Sequence, residues 1–487
     1  MKILFISPEV VPFAKTGGLA DVAGSLPKAL KKIGHDVRVF MPLYKKISKS
    51  EIRNTKQIRI VLNNKEEIVE IYEGKVPGTD VIVYFLGHEG YFGSRDDLYQ
   101  VKGVDFPDNL ERFSLFCQAV LPFLKEIDWK PDVIHCNDWQ SALVIAHLKT
   151  TYKEDPFFKR TASVYSIHNM AYLGQFPKDK FPSTGLPASA FSAEGIEFWG
   201  DIALSKAGLS YVDVINTVSE TYAKEIQTKD FGCGLDGLLR FRTKDVFGIV
   251  NGLDYDVWNP ATDTIIPKRY SPATLSLKVE DKLALQKLSN LPIKKEVPII
   301  GMITRLADQK GFDILAEALD QIMHEQCQLI ILGTGDQKYH DLLLKMKKKY
   351  PEHIGVNLGF DAALAELIYA GSDMFMMPSL YEPCGLGQLI SFKYGTVPIV
   401  RKTGGLADTV NDFVPATGKG EGFVFEEYSA KALLDAVRRA CKVYLNKPAW
   451  TKLQFKIMQL DYSWDSSAKK YVSLYMKALS KIGIRAL

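Results

Sequence analysis

Lys15-Thr-Gly-Gly18 stands between an apolar run, Ile3 to Ser7, and a stretch with helical apolar spacing. Glycines let a phosphate approach the backbone, and a lysine adds a point charge. The loop is neither a Walker A loop nor G-x-G-x-x-G, and a tight strand-to-helix turn with a surface lysine has the same residues. Later in the chain, Arg305 and Lys310 flank a turn. Two cations at that spacing can reach one diphosphate leaving group and stabilise its developing charge, or form a solvated surface pair. Pro378-Ser-Leu-Tyr-Glu382-Pro-Cys-Gly-Leu-Gly387-Gln388 leaves another apolar run through a proline and two glycines and enters a helical pattern. Glu382 can accept hydrogen bonds from sugar hydroxyls, and the N–H groups near Leu386 and Gly387 can meet phosphate at a helix start. Cys384 has no activating base nearby in sequence, so packing is the simpler role. Asp138-Trp139 and His168 complete the set: a carboxylate for a hydroxyl, an indole face for a pyranose, and a histidine after a strand. A helix-capping Asp138, an inward Trp139 and a structurally satisfied His168 remain open beside those roles.

These residues need elements to position them. Ile3 to Ser7, a helix carrying Val22, Leu26, Leu30 and Ile33, and Val37 to Phe40 read as one βαβ unit. Pro27 inside the helical pattern predicts a kink or a late helix start. Val81 to Phe85, Val133 to His135, Ala162 to Ile167 and Val214 to Thr217 continue the strands. A second series follows at Ile299 to Thr304, Leu329 to Leu332, Ile354 to Leu358, Met374 to Met377 and Pro398 to Val400. Helical patterns over Phe312 to Gln326 and Lys338 to Lys348 separate the first of these, whereas Asp263 to Lys295 carries more charge and proline than pattern. Alternating strands and helices predict an α/β fold with two mostly parallel sheets. The expected domains are residues 1–245 and 246–465. Lys15-Thr-Gly-Gly-Leu-Ala-Asp21 recurs letter for letter as Lys402 to Asp408, and either copy could offer amides to an anion at a helix start.

Composition narrows the function. With 487 residues, 46% apolar and 24% charged, the chain reads as an ordinary globular protein of two or three domains. A net charge of +4 demands neither nucleic acid nor membrane as partner. The six cysteines show no zinc or redox spacing, which suits a reduced compartment without disulfides. The N-terminus lacks a signal h-region, and no apolar run nears the roughly 20 residues that span a bilayer.

Taken in order, Lys15-Thr-Gly-Gly-Leu, His135 to Trp139, His168-Asn169, Val250-Asn251-Gly252, Arg305 with Lys310, and Glu382-Pro-Cys-Gly-Leu resemble the bacterial glycogen synthase and plant starch synthase family. The resemblance runs from Met1 to about Tyr471. It implies two Rossmann-like domains facing across a cleft, the GT-B fold, with a closing helix, residues 466–487, packing back on the N-terminal acceptor-side domain. The C-terminal domain would bind the nucleotide sugar. It further implies metal-free, cofactor-free transfer of glucose, with retention, from ADP-glucose (UDP-glucose in some members) to the nonreducing-end 4-hydroxyl of an α-1,4-glucan. Arg305 and Lys310 would then bind the diphosphate, while Lys15, Gly17 and Gly18 contact phosphate or the acceptor-side pocket. Glu382 and the amides of Gly385, Leu386 and Gly387 would hold glucose and phosphate. His168, Asn169 and Asn251 would orient the sugar, and Asp138 and Trp139 would face the acceptor. Two departures stand out: Ile390 fills the place of a second glutamate found in many related transferases, and Gly387 replaces a more polar residue of some bacterial members.

Three readings compete. A glucan synthase fits the Lys-Thr-Gly-Gly-Leu and Glu-Pro-Cys-Gly-Leu blocks best. A relative with a small acceptor, of the sucrose or trehalose-phosphate synthase type, keeps the fold and changes the partner. A glucan-binding protein with a decayed site, or a dinucleotide-dependent oxidoreductase, lacks support from the filled site positions and from the missing fingerprint. A bacterial cytoplasm is the simplest location, and a plastid stroma follows if a transit peptide has been removed. The sequence does not specify the oligomeric state.

Overall fold

The computed structural model describes residues 1–50, 52–101 and 103–484. The chain divides into two units, Met1–Gly252 together with the chain from Trp464 onward, and Leu253–Ser463.

The first unit contains, in chain order, β1 (Lys2–Ile6), β2 (Asp36–Pro42), β3 (Arg53–Leu62), β4 (Lys65–Lys75), β5 (Ile82–Gly87), β6 (Gln100–Val101), β7 (Val104–Asp105), β8 (Val133–Asn137), β9 (Ala162–Ile167), β10 (Gln175–Phe176), β11 (Glu197–Phe198), β12 (Asp201–Ala203), β13 (Val214–Thr217) and β14 (Val246–Gly248). Nine of them form one sheet in the order β14-β13-β9-β8-β1-β2-β5-β4-β3. From β14 to β5 every pairing is parallel, while β4 and β3 add as an antiparallel hairpin. The central strands β1, β8 and β9 are buried on both faces, hence their unbroken apolar runs. In β3 only Ile58, Ile60 and Leu62 are buried, the period-two signature of a sheet wet on one side. Asn63 and Asn64, both at positive φ, make the two-residue turn into β4.

The helix Gly18–Lys32 packs between this sheet and solvent, burying Leu19, Val22, Leu26 and Leu30. It starts nine residues ahead of Pro27 and runs through it, so the late start does not occur. The closing helix Trp464–Lys481 lies on the same sheet. Its Tyr475 hydroxyl meets His135 Nδ1 at 2.8 Å, and Ser467 Oγ donates to the Val250 carbonyl at 2.9 Å. His135 Nε2 meets Ser166 Oγ at 2.7 Å, and burial drops the imidazole to about 3. It is a neutral peg between strand and helix.

The second unit contains β15 (Ile299–Ile303), β16 (Gln328–Gly333), β17 (Ile354–Leu358), β18 (Met374–Met377), β19 (Val397–Arg401) and β20 (Phe423–Phe425). They form an all-parallel sheet in the order β17-β16-β15-β18-β19-β20. The helices Phe312–His324 and Gln337–Lys349 separate its first strands. The charged stretch after Asp263 contains the helix Lys278–Leu288, whose Lys278, Asp281 and Lys282 are buried. Lys282 Nζ sits 2.8 Å from Asp373 Oδ2, and Lys278 Nζ donates to Thr396 Oγ1 at 2.8 Å. Charge there belongs to the interior because each group has a partner. Among the described residues no helix is long and apolar enough to cross a membrane.

Candidate active site

In an open α/β sheet the ligand crevice lies outside the carboxyl ends of the strands, where the strand order reverses. In the first sheet that reversal falls between β1 and β8; in the second it falls between β15 and β18. The loops leaving these four strands carry Lys15, Gly17 and Gly18; Asp138 and Trp139; Arg305 and Lys310; and Glu382 through Gly387.

Beyond β1, the residue that shapes the loop is Glu9, which is 4% exposed. Its carboxylate accepts the Thr16 N–H at 2.5 Å, the Thr16 hydroxyl at 2.5 Å, the Gly17 N–H at 3.2 Å and the Tyr99 hydroxyl at 2.8 Å. The expectation that the Gly17 amide meets phosphate is therefore corrected: that donor is already committed to Glu9. Lys15 Nζ lies 2.8 Å from Asp21 Oδ1, both side chains being partly exposed. Such a pair is worth little and exchanges readily for other oxygens. A Cβ on Gly17 would meet nothing within 4 Å, so open space borders the loop there. Gly18 opens the following helix. Glu9 was legible as an acid just past a strand end, yet its value lies in four donors that only folding assembles.

Beyond β8, Asp138 adopts φ 54° and ψ 177°, a region nearly confined to glycine that costs another residue about 1–3 kcal/mol. It does not cap a helix with its side chain. Instead Oδ1 accepts the His168 N–H at 2.7 Å, tying β8 to the end of β9, and the Asn169 N–H adds to it. Burial, with the nearby Glu9 charge adding, pushes its carboxyl up to about 7 against the pull of those amides. Trp139 is packed edge-to-face against Phe113 at 5.1 Å and Phe176 at 5.8 Å. A Cβ on Gly174 would come 2.7 Å from its ring. The indole is mostly a packing element, with part of its surface exposed.

His168 is buried and burial lowers its imidazole to about 3, so it is neutral. Its Nε2 lies 2.9 Å from Asn137 Oδ1, whose amide nitrogen donates to the Ile6 carbonyl at 3.0 Å. The network assigns the hydrogen to Nε2, leaving Nδ1 as a lone-pair acceptor. Asn169 Oδ1 folds back onto the Ala171 N–H at 3.0 Å. Asn251, past β14, is 4% exposed, and its Oδ1 has no hydrogen-bond partner among the described residues.

In the second unit the loops after β15 and β18 are laced together. Gly311 at φ 74° brings its Cα so near Pro378 that a Cβ would sit 2.1 Å from the carbonyl oxygen. Leu380 N–H donates to the Gln309 carbonyl at 2.8 Å, and Gln309 Nε2 to the Tyr381 carbonyl at 2.9 Å. This lacing places Lys310 Nζ 2.6 Å from Glu382 Oε2, with side chains only 14% and 9% exposed. Ser379 Oγ donates to the same oxygen at 2.9 Å. Arg305 is exposed at the end of β15. Phe360, two residues past β17 and 86% exposed, offers a bare aromatic face at the same sheet edge. Sequence reading passed over it because an exposed phenylalanine has no motif.

The second Lys-Thr-Gly-Gly copy does not offer amides to an anion. Gly405 N–H donates to the Glu382 and Pro383 carbonyls at 3.1 Å. A Cβ on Gly404 would lie 2.0 Å from the Glu382 carbonyl oxygen, and one on Gly405 2.1 Å from that of Cys384. This copy is the rest on which the Glu382 loop lies. Gly387 has a packing reason too, because a Cβ there would fall 2.7 Å from Phe375. A side chain there would have to displace the Phe375 ring.

Residues 2–241 match the starch synthase catalytic domain family, and residues 286–449 match glycosyl transferases group 1. The chain is 46% identical to a glycogen synthase of Thermotoga maritima over 99% of its length and 100% of that protein. It is 48% identical to a glycogen synthase of Desulforudis audaxviator, covering 99% and 97% of the two chains. The chain belongs to the glycogen and starch synthase family. A solved relative, the catalytic domain of starch synthase IV from Arabidopsis thaliana bound to ADP and acarbose, superposes with a TM-score of 0.89 at 32% identity, covering 98% and 99%. A sucrose-phosphate synthase of Thermosynechococcus elongatus, 18% identical with a TM-score of 0.58 over 97% and 98%, shares the fold alone. The family member described here is a retaining hexosyltransferase of GT-B fold.

Proposed function

We propose that this chain transfers glucose from ADP-glucose, with retention, to the nonreducing-end 4-hydroxyl of an α-1,4-glucan in the cytoplasm. The bacterial relatives support that location, and the ADP of the starch synthase IV complex supports the adenine nucleotide. The observation that carries the reading is the Lys310–Glu382 pair at the reversal point of the second sheet.

In this scheme the second unit takes the donor. Arg305 and Lys310 bind the diphosphate, Lys310 keeping N–H donors beyond the one given to Glu382. The amides of Gly385, Leu386 and Gly387 add to them, and Phe360 stacks on the nucleobase. Glu382 Oε1 accepts from a glucose hydroxyl. The first unit takes the glucan, with Asp138, Trp139, Lys15 and Gly18 on the acceptor side. His168 Nδ1 accepts from a sugar hydroxyl, and Asn169 and Asn251 help orient the ring. The C1–O bond to phosphate breaks as the acceptor O4 bonds to C1 on the same face. The O4 proton passes to the departing phosphate oxygen, and cations neutralise what charge remains.

Purified chain incubated with ADP-glucose or UDP-glucose should release nucleotide only when glycogen is added, and faster from ADP-glucose. Product NMR should show new α-1,4 linkages. Absence of glycogen-stimulated release from either donor would overturn the reading.

A further inference from the structure

The tip of the β11–β12 hairpin carries a residue that neither its backbone nor its solvation favours. Phe198 pairs with Asp201, so Trp199 and Gly200 form a two-residue turn, at φ 55° and 90°. Turns with two positive φ values favour Asn, Asp or Gly at the first place, not a bulky aromatic. Trp199 is nevertheless there and is 84% exposed.

The tip is also held still. Glu197 Oε1 accepts the Gly200 N–H at 2.7 Å, Lys206 Nζ donates to the Glu197 carbonyl, and Asp201 Oδ1 accepts the Lys178 N–H at 3.1 Å. Phe198 stands edge-to-face to the indole at 6.3 Å, and a Cβ on Gly234 would meet its Nε1 at 3.4 Å. One side of the ring is backed by protein and the rest is open. A rigid, exposed indole flanked by carboxylates is a surface for a sugar ring: the face takes C–H groups and the carboxylates take hydroxyls.

The hairpin belongs to the small sheet β10-β12-β11, whose Phe176 packs on Trp139. Trp199 therefore sits at the hairpin tip of the same small sheet whose β10 strand packs on the acceptor-side Trp139. We propose that Trp199 is a remote docking platform for the α-glucan chain, gripping a ring several units from the reacting end. The proposal rests on the glucan being the acceptor.

Titration of the full chain with maltose and with maltoheptaose tests it. Wild-type protein should bind the longer sugar more tightly. Trp199→Asn should weaken maltoheptaose binding and raise the KM for glycogen about tenfold, leaving maltose binding and kcat unchanged. Trp199→Phe should restore most of the affinity. Because asparagine suits the turn, the Tm of Trp199→Asn should hold or rise, which removes misfolding as a cause. Equal maltoheptaose affinity in the asparagine variant would overturn the platform. So would a loss of dimeric mass in sedimentation with affinity intact, which would assign the indole to a second copy of the chain. Binding is read without turnover, so failure of the transferase assay leaves this test standing on its own.

Discussion

Lys310 Nζ sits 2.6 Å from Glu382 Oε2, joining the loops after β15 and β18 by one ion pair. Both side chains are largely buried, so removing one partner strands the other. Lys310→Ala should cost about 3 kcal/mol of stability, seen as a lowered Tm. It should also lower kcat about 10²–10³-fold through lost stabilisation of the leaving diphosphate. The double variant Lys310→Met with Glu382→Gln should recover much of the Tm and none of the rate. Recovery of both together would show that the pair serves stability alone.

The two identical heptapeptides should respond oppositely to the same substitution. Gly404→Ala and Gly405→Ala drive a Cβ into backbone oxygens at 2.0 and 2.1 Å and should each cost about 1–3 kcal/mol in thermal denaturation. Gly17→Ala faces open space at φ −148° and should leave the Tm within a degree or two. An equal loss of stability at both copies would contradict the distinction.

Phe360→Ala should raise the KM for ADP-glucose about tenfold, the loss of one stacked ring, with kcat and the KM for glycogen unchanged. Steady-state kinetics with both substrates varied will decide it. An unaltered donor KM would remove Phe360 from the nucleotide site.

Asp138 gives a pH signature with a definite sign. Its carboxyl is raised to about 7 in the folded chain, against an ordinary value near 3.8. The folded state thus holds the proton more tightly than the unfolded one. Its contribution is fully present below pH 3.8 and is lost as pH rises towards about 7. Relative to wild type, Asp138→Asn should gain stability steadily across that interval and level off above it. Denaturant titrations of both proteins at pH 4, 5, 6, 7 and 8 measure the difference. A gap independent of pH would mean that Asp138 titrates normally.

What the amino-acid sequence determined was the order of apolar runs and the residues at their ends. Ile3 to Ser7, Val133 to His135, Ile299 to Thr304 and Met374 to Met377 are the central strands of one mostly parallel and one all-parallel sheet, and burial on both faces writes that into composition. Lys15, Asp138, Arg305, Lys310 and Glu382 follow those strands, so the sheet edge they occupy was legible from position alone. The β3–β4 hairpin was missed although Asn63-Asn64 and the alternation through Ile58 to Leu62 spelled it, because a run of parallel units masked a different period. Only tertiary structure decided how polar groups share partners. It gave the Gly17 amide to Glu9 and made the second Lys-Thr-Gly-Gly copy a rest for the Glu382 loop. It also buried Lys278 and Lys282 and left Trp199 and Phe360 in water. Periodicity along a chain reports which face is apolar. Hydrogen-bond partners and exposure depend on segments far apart in sequence, and no local pattern encodes them.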